Sequence, residues 1–346
     1  MTKSATRETA DIASVVGRKN RIINGNFDIW QRALSQTATG YGSADRWFNI
    51  LNGSTQVVSR QAFALGQTDV PNNPKYYSRT VVSSVAGASN LVVKLQRIEG
   101  VETFAGTTAT VSFWAKADAS KNIVVELVQV FGTGGSPSAI SFVSPITVSL
   151  TTSWVKHTVS IAIPSIASKV LGTNGNDYLV LHLWMDADSN YNARTNSLGH
   201  QSGTFEFSQV QMEAGSVATT FEPRSVGQEL ALCQRYFQKN YDKDVFAGAS
   251  SINVNTNQGS WGRANTGIIG FTTHFPVTLR GAPTLVVYDK LGNSNKCTVH
   301  GVAAQIVNNF PINVSNVTTT SVMVRAYNVA GGAAGIAYMY TVDAEL

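Results

Sequence analysis

Aromatic side chains on predicted strands are the first candidates for chemistry in this sequence. Trp114 shares a predicted strand face with Lys116, and Trp184 shares one with His182 and Asp186. Both faces lie opposite the more apolar side of their strands, where a residue of a simple core would not lie. Proteins bind sugars by stacking aromatic rings on C–H faces and by placing a few polar groups around them. The pattern therefore indicates shallow glycan-binding sites.

A further tryptophan, Trp261, lies in a Gly-rich segment that is typical of an exposed loop. The candidate glycan-binding residues are Trp114, His182, Trp184 and Trp261. One alternative stays open for Trp114 and Trp184, which could also pack under a loop or against another subunit. Three other tryptophans are interpreted as structural: Trp30, Trp47 and Trp154.

Motifs of known catalytic sites are missing from the sequence. It has no GxSxG, HExxH, P-loop or GxGxxG pattern, and its five histidines are isolated from one another. We therefore expect a protein that is not an enzyme. A glycan-cleaving enzyme remains an alternative, because paired carboxylates need proximity in space and leave no motif.

Metal ligands are not grouped in any known spacing. Cys233 and Cys297 are far apart and are predicted to be free thiols. The segment 186–190 begins like a calcium loop, but Tyr191 replaces the glycine that the turn requires, and Ser197 replaces the bidentate glutamate. We expect no metal and no cofactor.

Composition and charge narrow the class of protein. Of the 346 residues, 43% are hydrophobic and only 14% are charged, and the net charge is +5. The cations are scattered except for a short basic run at residues 18–21, so nucleic-acid binding is not expected. No segment is long and apolar enough for a membrane helix, and the first twenty residues lack the apolar core of a signal peptide.

Hydrophobic periodicity predicts an all-β fold. Residues 109–116, 155–163 and 179–186 alternate with a period of two, and turn-rich loops separate them. A register switch within residues 204–213 predicts a β-bulge. Strands without intervening helical patterns indicate packed antiparallel sheets, as in a sandwich or jelly roll.

The same patterns divide the chain into four segments. These are an N-terminal arm (1–20), a jelly-roll β-sandwich (21–222), a connecting helix (223–243) and a second, smaller β-sandwich domain (244–346). The helix is predicted from apolar residues at three- and four-residue spacing, from Val226 to Tyr241.

Ordered motifs along the chain resemble one family. They are Ile23–Phe27 (INGNF), Trp30–Arg32 (WQR), Ala44–Trp47 (ADRW), Ser112–Ala117 (SFWAKA), Ser153–Pro164, Gln209–Phe237 and Arg280–Gly292. Together they resemble bacteriophage tail-fibre and tail-appendage proteins that carry a jelly roll similar to carbohydrate-binding modules. One departure is Ala33-Leu34, where the family commonly has a glycine after the arginine.

The resemblance implies a virion structural protein, assembled in the host bacterial cytoplasm and located in the tail or an appendage. Its expected partners are further copies of itself in a homotrimer, tail or portal/adaptor proteins, and host surface polysaccharide. The arm would attach to the particle, with Arg18, Lys19 and Arg21 at the attachment. Jelly rolls of this kind sometimes hold a structural calcium ion, so an incidental calcium site stays open. The alternatives are a connector, collar or head-decoration protein without a receptor, and an enzyme that degrades capsule or lipopolysaccharide.

Overall fold

The computed structural model describes residues 19–250, 257–259, 268–301, 306–327 and 333–346. The predictions for Arg18 and Trp261 lie outside these residues. The described chain is almost entirely β-structure and separates into two compact units. Unit 1 comprises the residues up to Trp30, Leu34–Ser225 and Leu346, and unit 2 comprises Gln31–Ala33 and Val226–Glu345.

The described part of unit 1 contains twelve strands. They are β1 (Ser35–Gln36), β2 (Phe48–Asn52), β3 (Thr55–Ala62), β4 (Tyr76–Ser83), β5 (Leu91–Glu99), β6 (Thr108–Ala117), β7 (Lys121–Val130), β8 (Ser141–Phe142), β9 (Ile146–Leu150), β10 (Val155–Ala162), β11 (Tyr178–Ala187) and β12 (Gly203–Ala214). A 3₁₀ turn (Ser189–Tyr191) and one short helix, α1 (Asn192–Thr195), follow β11.

The strands of unit 1 form two antiparallel sheets, which makes this unit the predicted sandwich. Sheet A has the order β1-β3-β4-β12-β6-β10, and sheet B has the order β2-β5-β11-β7-β8, with β9 also paired to β7. The two inner faces share one apolar core that includes Phe113, Leu127, Leu181 and Phe207. Burying this apolar surface is the main favourable contribution to folding.

The alternation of residues along β6 decides which of its faces packs into the core. Val111, Phe113 and Ala115 are fully buried in the core, whereas Trp114 and Lys116 point to the opposite side of sheet A. The predicted bulge is confirmed in β12, where the register shifts between Ser208 and Gln211 against β6. The shift lets residues on both sides of it keep their apolar partners inside the core.

The motif at residues 23–27 is fixed within unit 1 by hydrogen bonds and by a close approach of two backbone segments. The Asn24 side-chain amide donates to the carbonyls of Ile29 and Asp45, and the Asn24 carbonyl accepts a bond from Trp47 Nε1. A β-carbon on Gly25 would lie 2.0 Å from the Val210 carbonyl oxygen. Glycine is therefore the residue that this close approach of two backbones allows.

Unit 2 is the second, smaller all-β part of the chain. Its helix is α2 (Val226–Gln234), and its strands are β13 (Phe237–Lys239), β14 (Asn257–Gly259), β15 (Ile268–His274), β16 (Thr284–Tyr288), β17 (Lys296–Gly301), β18 (Ile306–Ser315), β19 (Ser321–Tyr327) and β20 (Ala333–Asp343). All the strand pairs among its described residues are antiparallel, and the long β20 pairs with β13, β14, β16 and β17. A core of its own surrounds Tyr338, Val342 and Cys297.

The predicted helix at 223–243 is wrong in its length. The helix ends at Gln234, and Phe237–Lys239 pairs with β20 as a strand. Phe237 and Tyr241 are buried, as their apolar spacing predicts, but they are buried beyond the end of the helix. Strand pairing satisfies the backbone of this segment in a way that a single-sequence pattern cannot show. Neither cysteine forms a disulfide, as predicted, and both are buried.

Candidate functional site

The outer face of sheet A carries two rows of side chains that run across its strands. In row 1, Ser208 of β12, Trp114 of β6 and Lys156 of β10 are register partners. In row 2, the register partners are Ser59, Arg79, Glu206 and Lys116, on β3, β4, β12 and β6. Alternation along each strand places both rows opposite the core, because their strand neighbours such as Phe113 and Phe207 fill it.

Aromatic rings cover one end of these rows. The Trp154 ring lies 5.3 Å from the rings of both Phe63 and Tyr77, and the Phe63 and Tyr77 centroids are 4.7 Å apart. Phe63 and Trp154 are partly exposed, as is Trp114 in row 1. We call these four aromatic residues, together with Arg79, Lys116 and Glu206, the platform. The rings of Phe63, Tyr77 and Trp154 hold one another, so they are ordered before a ligand arrives.

Glu206 ties the charged part of the platform together. Arg79 Nε donates to Glu206 Oε1 at 2.6 Å, and Lys116 Nζ lies 3.2 Å from Oε2. Arg79 Nη2 also donates to the Tyr77 hydroxyl at 3.2 Å. Partial burial raises the pKa of Tyr77, and the Glu206 charge adds to that rise. Burial alone would lower the pKa of Arg79, but the bond to Glu206 outweighs it and raises that pKa.

Cation–π contacts join the charges to the rings. Lys116 Nζ lies 5.5 Å from the Trp154 ring centroid, and Arg79 lies 5.9 Å from that of Tyr77. Beside them, the Ser208 hydroxyl is buried on the same face and has no hydrogen-bond partner among the described residues. A buried hydroxyl without a partner is costly, so it is a group that a ligand or a water would satisfy.

A second cluster lies on the outer face of sheet B around Glu126. This carboxylate accepts bonds from His182 Nδ1 at 2.9 Å and Trp184 Nε1 at 3.0 Å, and Arg194 of α1 binds both of its oxygens at 2.9 and 2.7 Å. Burial would raise the pKa of Glu126, but the bonds from His182 and Arg194 outweigh it and lower that pKa. Burial lowers the pKa of His182.

Trp184 is closed off in this cluster. Only 2% of it is exposed, because Arg194 lies 4.9 Å from its ring and the Tyr191 ring lies 5.4 Å away. Its indole therefore presents no open face on which a sugar ring could stack. The polar groups of this buried cluster bond to one another, and these bonds hold α1 against sheet B.

Two carboxylates at the end of β11, Asp186 on the strand and Asp188 just after it, belong to a third group. Asp186 is buried and accepts bonds from the hydroxyls of Ser54 and Ser84. His200 binds Asp188 through Nε2 and lies 3.4 Å from Asp186 Oδ1 through Nδ1. Burial would lower the pKa of His200, but the bonds to the two aspartates raise it. These contacts fasten the segments that carry Ser54, Ser84 and His200 to the end of β11 and to Asp188 after it.

The candidate residues from the sequence do not come together in one site. Trp114 lies on sheet A, and His182 and Trp184 lie on sheet B. Of the attachment candidates, Lys19 is exposed and Arg21 is half-buried, with its guanidinium 5.9 Å from the Phe104 ring. Trp30 and Trp47 are buried in the core of unit 1. Trp154, interpreted from the sequence as structural, instead lies on the platform.

Four residues of the platform carried no signal in the sequence: Phe63, Tyr77, Arg79 and Glu206. Arg79 and Glu206 lie 127 positions apart, and only the order β4-β12-β6 makes them neighbours. Lys116 was detectable, because alternation placed it on the same strand face as Trp114. Among the described residues, no group of three or more His, Cys, Asp or Glu side chains could hold a metal ion. No helix in that part of the chain is long and apolar enough to cross a membrane.

Comparison with known proteins gives weak structural likenesses. No family model matches the chain, and no curated protein matches it either. A CBM4 structure is similar with a TM-score of 0.31 and 17% identity, over 56% of this chain and 98% of that one. The xylan-binding CBM22-2 domain of Paenibacillus barcinonensis Xyn10C has a TM-score of 0.32 and 17% identity, over 53% and 100%. The enzymatically active domain of tailspike protein 4 of bacteriophage CBA120 has a TM-score of 0.32 and 10% identity, over 57% and 21%.

Proposed function

We propose that this protein is a bacteriophage virion protein, part of a tail fibre or similar appendage, and that unit 1 binds a glycan of the host surface. The observation that carries the proposal is the platform on sheet A. It combines partly exposed rings with hydrogen-bonding side chains on a rigid sheet, which is the chemistry that sugar recognition requires.

Sugar binding on such a surface needs few contacts. Trp154 and Phe63 offer apolar ring surface to the C–H face of a pyranose, and Arg79 and Lys116 offer donors to its oxygens. The site is open and shallow, so a single copy would bind weakly. Several copies on one particle raise the effective affinity by ~10²–10⁴ without new contacts.

The virion assignment is supported by the ordered motifs in the sequence, which resemble phage appendage proteins. In this proposal the N-terminal arm attaches the protein to tail or portal proteins, and copies of the chain associate as a homotrimer. In this proposal the protein binds glycan without cleaving it, and the carboxylates of Asp186 and Asp188 serve as acceptors for the Ser54 hydroxyl and the Gly87 N–H.

Purified protein tested against arrayed bacterial capsular polysaccharides and O-antigens provides the direct test. We expect binding to at least one glycan and a loss of about five- to thirtyfold for Trp154→Ala, because stacking on one ring contributes roughly 1–2 kcal/mol. Phe142→Ala is the matched control, since Phe142 is 53% exposed and lies on β8 of sheet B.

Equal binding by the parent and Trp154→Ala would contradict the platform as the site. Reducing ends released from a bound polysaccharide would contradict the absence of an enzymatic activity. No binding to any glycan would favour a connector or decoration protein over a receptor-binding one.

A further inference from the structure

The charges of the platform are unequally exposed. The side chains of Arg79 and Lys116 are 36% and 31% exposed, whereas that of Glu206 is 5% exposed. The acid lies beneath the two cations and uses both of its oxygens on them. A ligand that approaches the rings therefore meets positive charge, and the one acidic residue of row 2 is hidden from it.

Hydrogen-bond donors remain on both cations. Arg79 uses Nε for Glu206 and one hydrogen of Nη2 for Tyr77, and its Nη1 has no partner among the described residues. Lys116 has three N–H donors and one acidic partner. Lys156 adds a third cation at the end of row 1, where its Nζ donates to the Thr219 carbonyl. The spare donors of Arg79 and Lys116 lie beside the rings of Tyr77 and Trp154.

From this arrangement we infer that the glycan is anionic and carries a carboxylate or phosphate substituent that Arg79 and Lys116 bind while a sugar ring stacks on Trp154. This inference rests on the proposed function and names the ligand class of the same site. Guanidinium and ammonium groups bind such oxygens by charge-assisted hydrogen bonds, which are roughly twice as strong as neutral ones. With a neutral sugar, the two cations would have only the single negative charge of Glu206 between them.

The experiment uses the full chain on an array in which each acidic polysaccharide is printed in three forms: native, carboxyl-reduced and dephosphorylated. We expect the native form to bind and one of the two treated forms to lose about ten- to a hundredfold in affinity. The form that loses affinity identifies the substituent. Binding should also weaken as salt is raised from 50 to about 300 mM, because the cations are partly exposed.

Two variants assign the effect to the platform. Arg79→Gln and Lys116→Gln should bind the native and treated forms nearly equally. Arg60→Gln is the control, because Arg60 pairs with Ser78 on the opposite side of β3 and stacks 4.3 Å from the Tyr76 ring. Because Arg79→Gln leaves Glu206 with a single cation, Arg79→Gln/Glu206→Gln is the second variant. It removes both charges of that pair and leaves Lys116 without its acidic partner, so its preference for the native form should be smaller than that of the parent but should not vanish.

The outcomes separate this inference from the proposed function. Glycans that bind equally well in all three forms, with a dependence on Trp154, would overturn the anionic ligand and leave glycan binding intact. A preference that is undiminished in Arg79→Gln, Lys116→Gln and the double variant would overturn the assignment to these cations. Failure to bind any form would remove the proposed function, and binding that does not depend on Trp154 would remove the platform as the site; either outcome removes this inference as well.

Discussion

At the scale of single residues, Lys94 is the most unusual group in unit 1. It lies on β5 with no exposed surface, and its Nζ donates to Asn49 Oδ1 at 2.9 Å. Burial lowers the pKa of its amine to about 7. An amine with one neutral partner in a core is held far from the solvation that its charge requires.

Lys94 should make stability depend on pH. Its folded pKa lies below the unfolded value, so between about pH 7 and pH 10.5 the unfolded chain binds the proton that the folded chain has released. The contribution of Lys94 to the free energy of unfolding therefore increases as pH rises through that window. Lys94→Met should remove this increase with pH. It should also stabilise unit 1 at pH 7, because no charge has to be buried or neutralised.

Urea denaturation of the parent and Lys94→Met at several pH values measures this effect. The difference between the two proteins is the informative quantity, since other groups also titrate at high pH. Lys156→Met is the control for loss of a surface lysine. A constant difference from pH 7 to 10 would show that Lys94 does not titrate in this window.

At the scale of elements, alternation in the sequence was sufficient to place several strands. Residues 109–116, 155–163 and 179–186 became β6, β10 and β11, because each had to bury one apolar face. The helix prediction failed beyond Gln234, since the same apolar spacing also suits residues buried after the helix ends. Which strands lie side by side was not predictable, and the platform depends on that order. Local patterns therefore found Trp114 and Lys116 but not Arg79 or Glu206.

The short helix α1 should depend on one arginine. Four residues cannot maintain a helix alone, and Arg194 ties α1 to Glu126 while its guanidinium lies 4.2 Å from the Phe142 ring. Arg194→Met should destabilise unit 1 by about 3 kcal/mol, because Glu126 would lose its bidentate partner while buried. It should also expose Trp184, with a red-shifted fluorescence and faster quenching by acrylamide.

The stability of the double variant Glu126→Gln/Arg194→Met should be compared with that of Arg194→Met. Removing both charges leaves no uncompensated carboxylate, so it should recover much of the stability lost in Arg194→Met. If the two variants unfold at the same urea concentration, the ion pair is not what fastens α1 to the sheet.

At the scale of the whole molecule, the proposed function requires several copies. One open platform with a few spare donors gives weak binding, whereas a receptor-binding appendage must hold a particle to a cell. The sequence resemblance implies a homotrimer, which would present the platform three times. Once one platform of the trimer has bound, binding of the second and third is intramolecular. The overall affinity rises only if the platforms can bind the same surface at the same time.

Light scattering of the purified chain tests the assembly, and we expect a mass three times that of one chain. On a densely glycan-coated surface the trimer should bind ~10²–10⁴-fold more tightly than on a sparse one, because only the dense surface engages several platforms together. Trp154→Ala should keep the trimeric mass and lose the tighter binding on the dense surface, because the platform binds glycan in this proposal and does not mediate association. A monomer that binds dense and sparse surfaces with one affinity would show that the appendage does not use multivalent attachment.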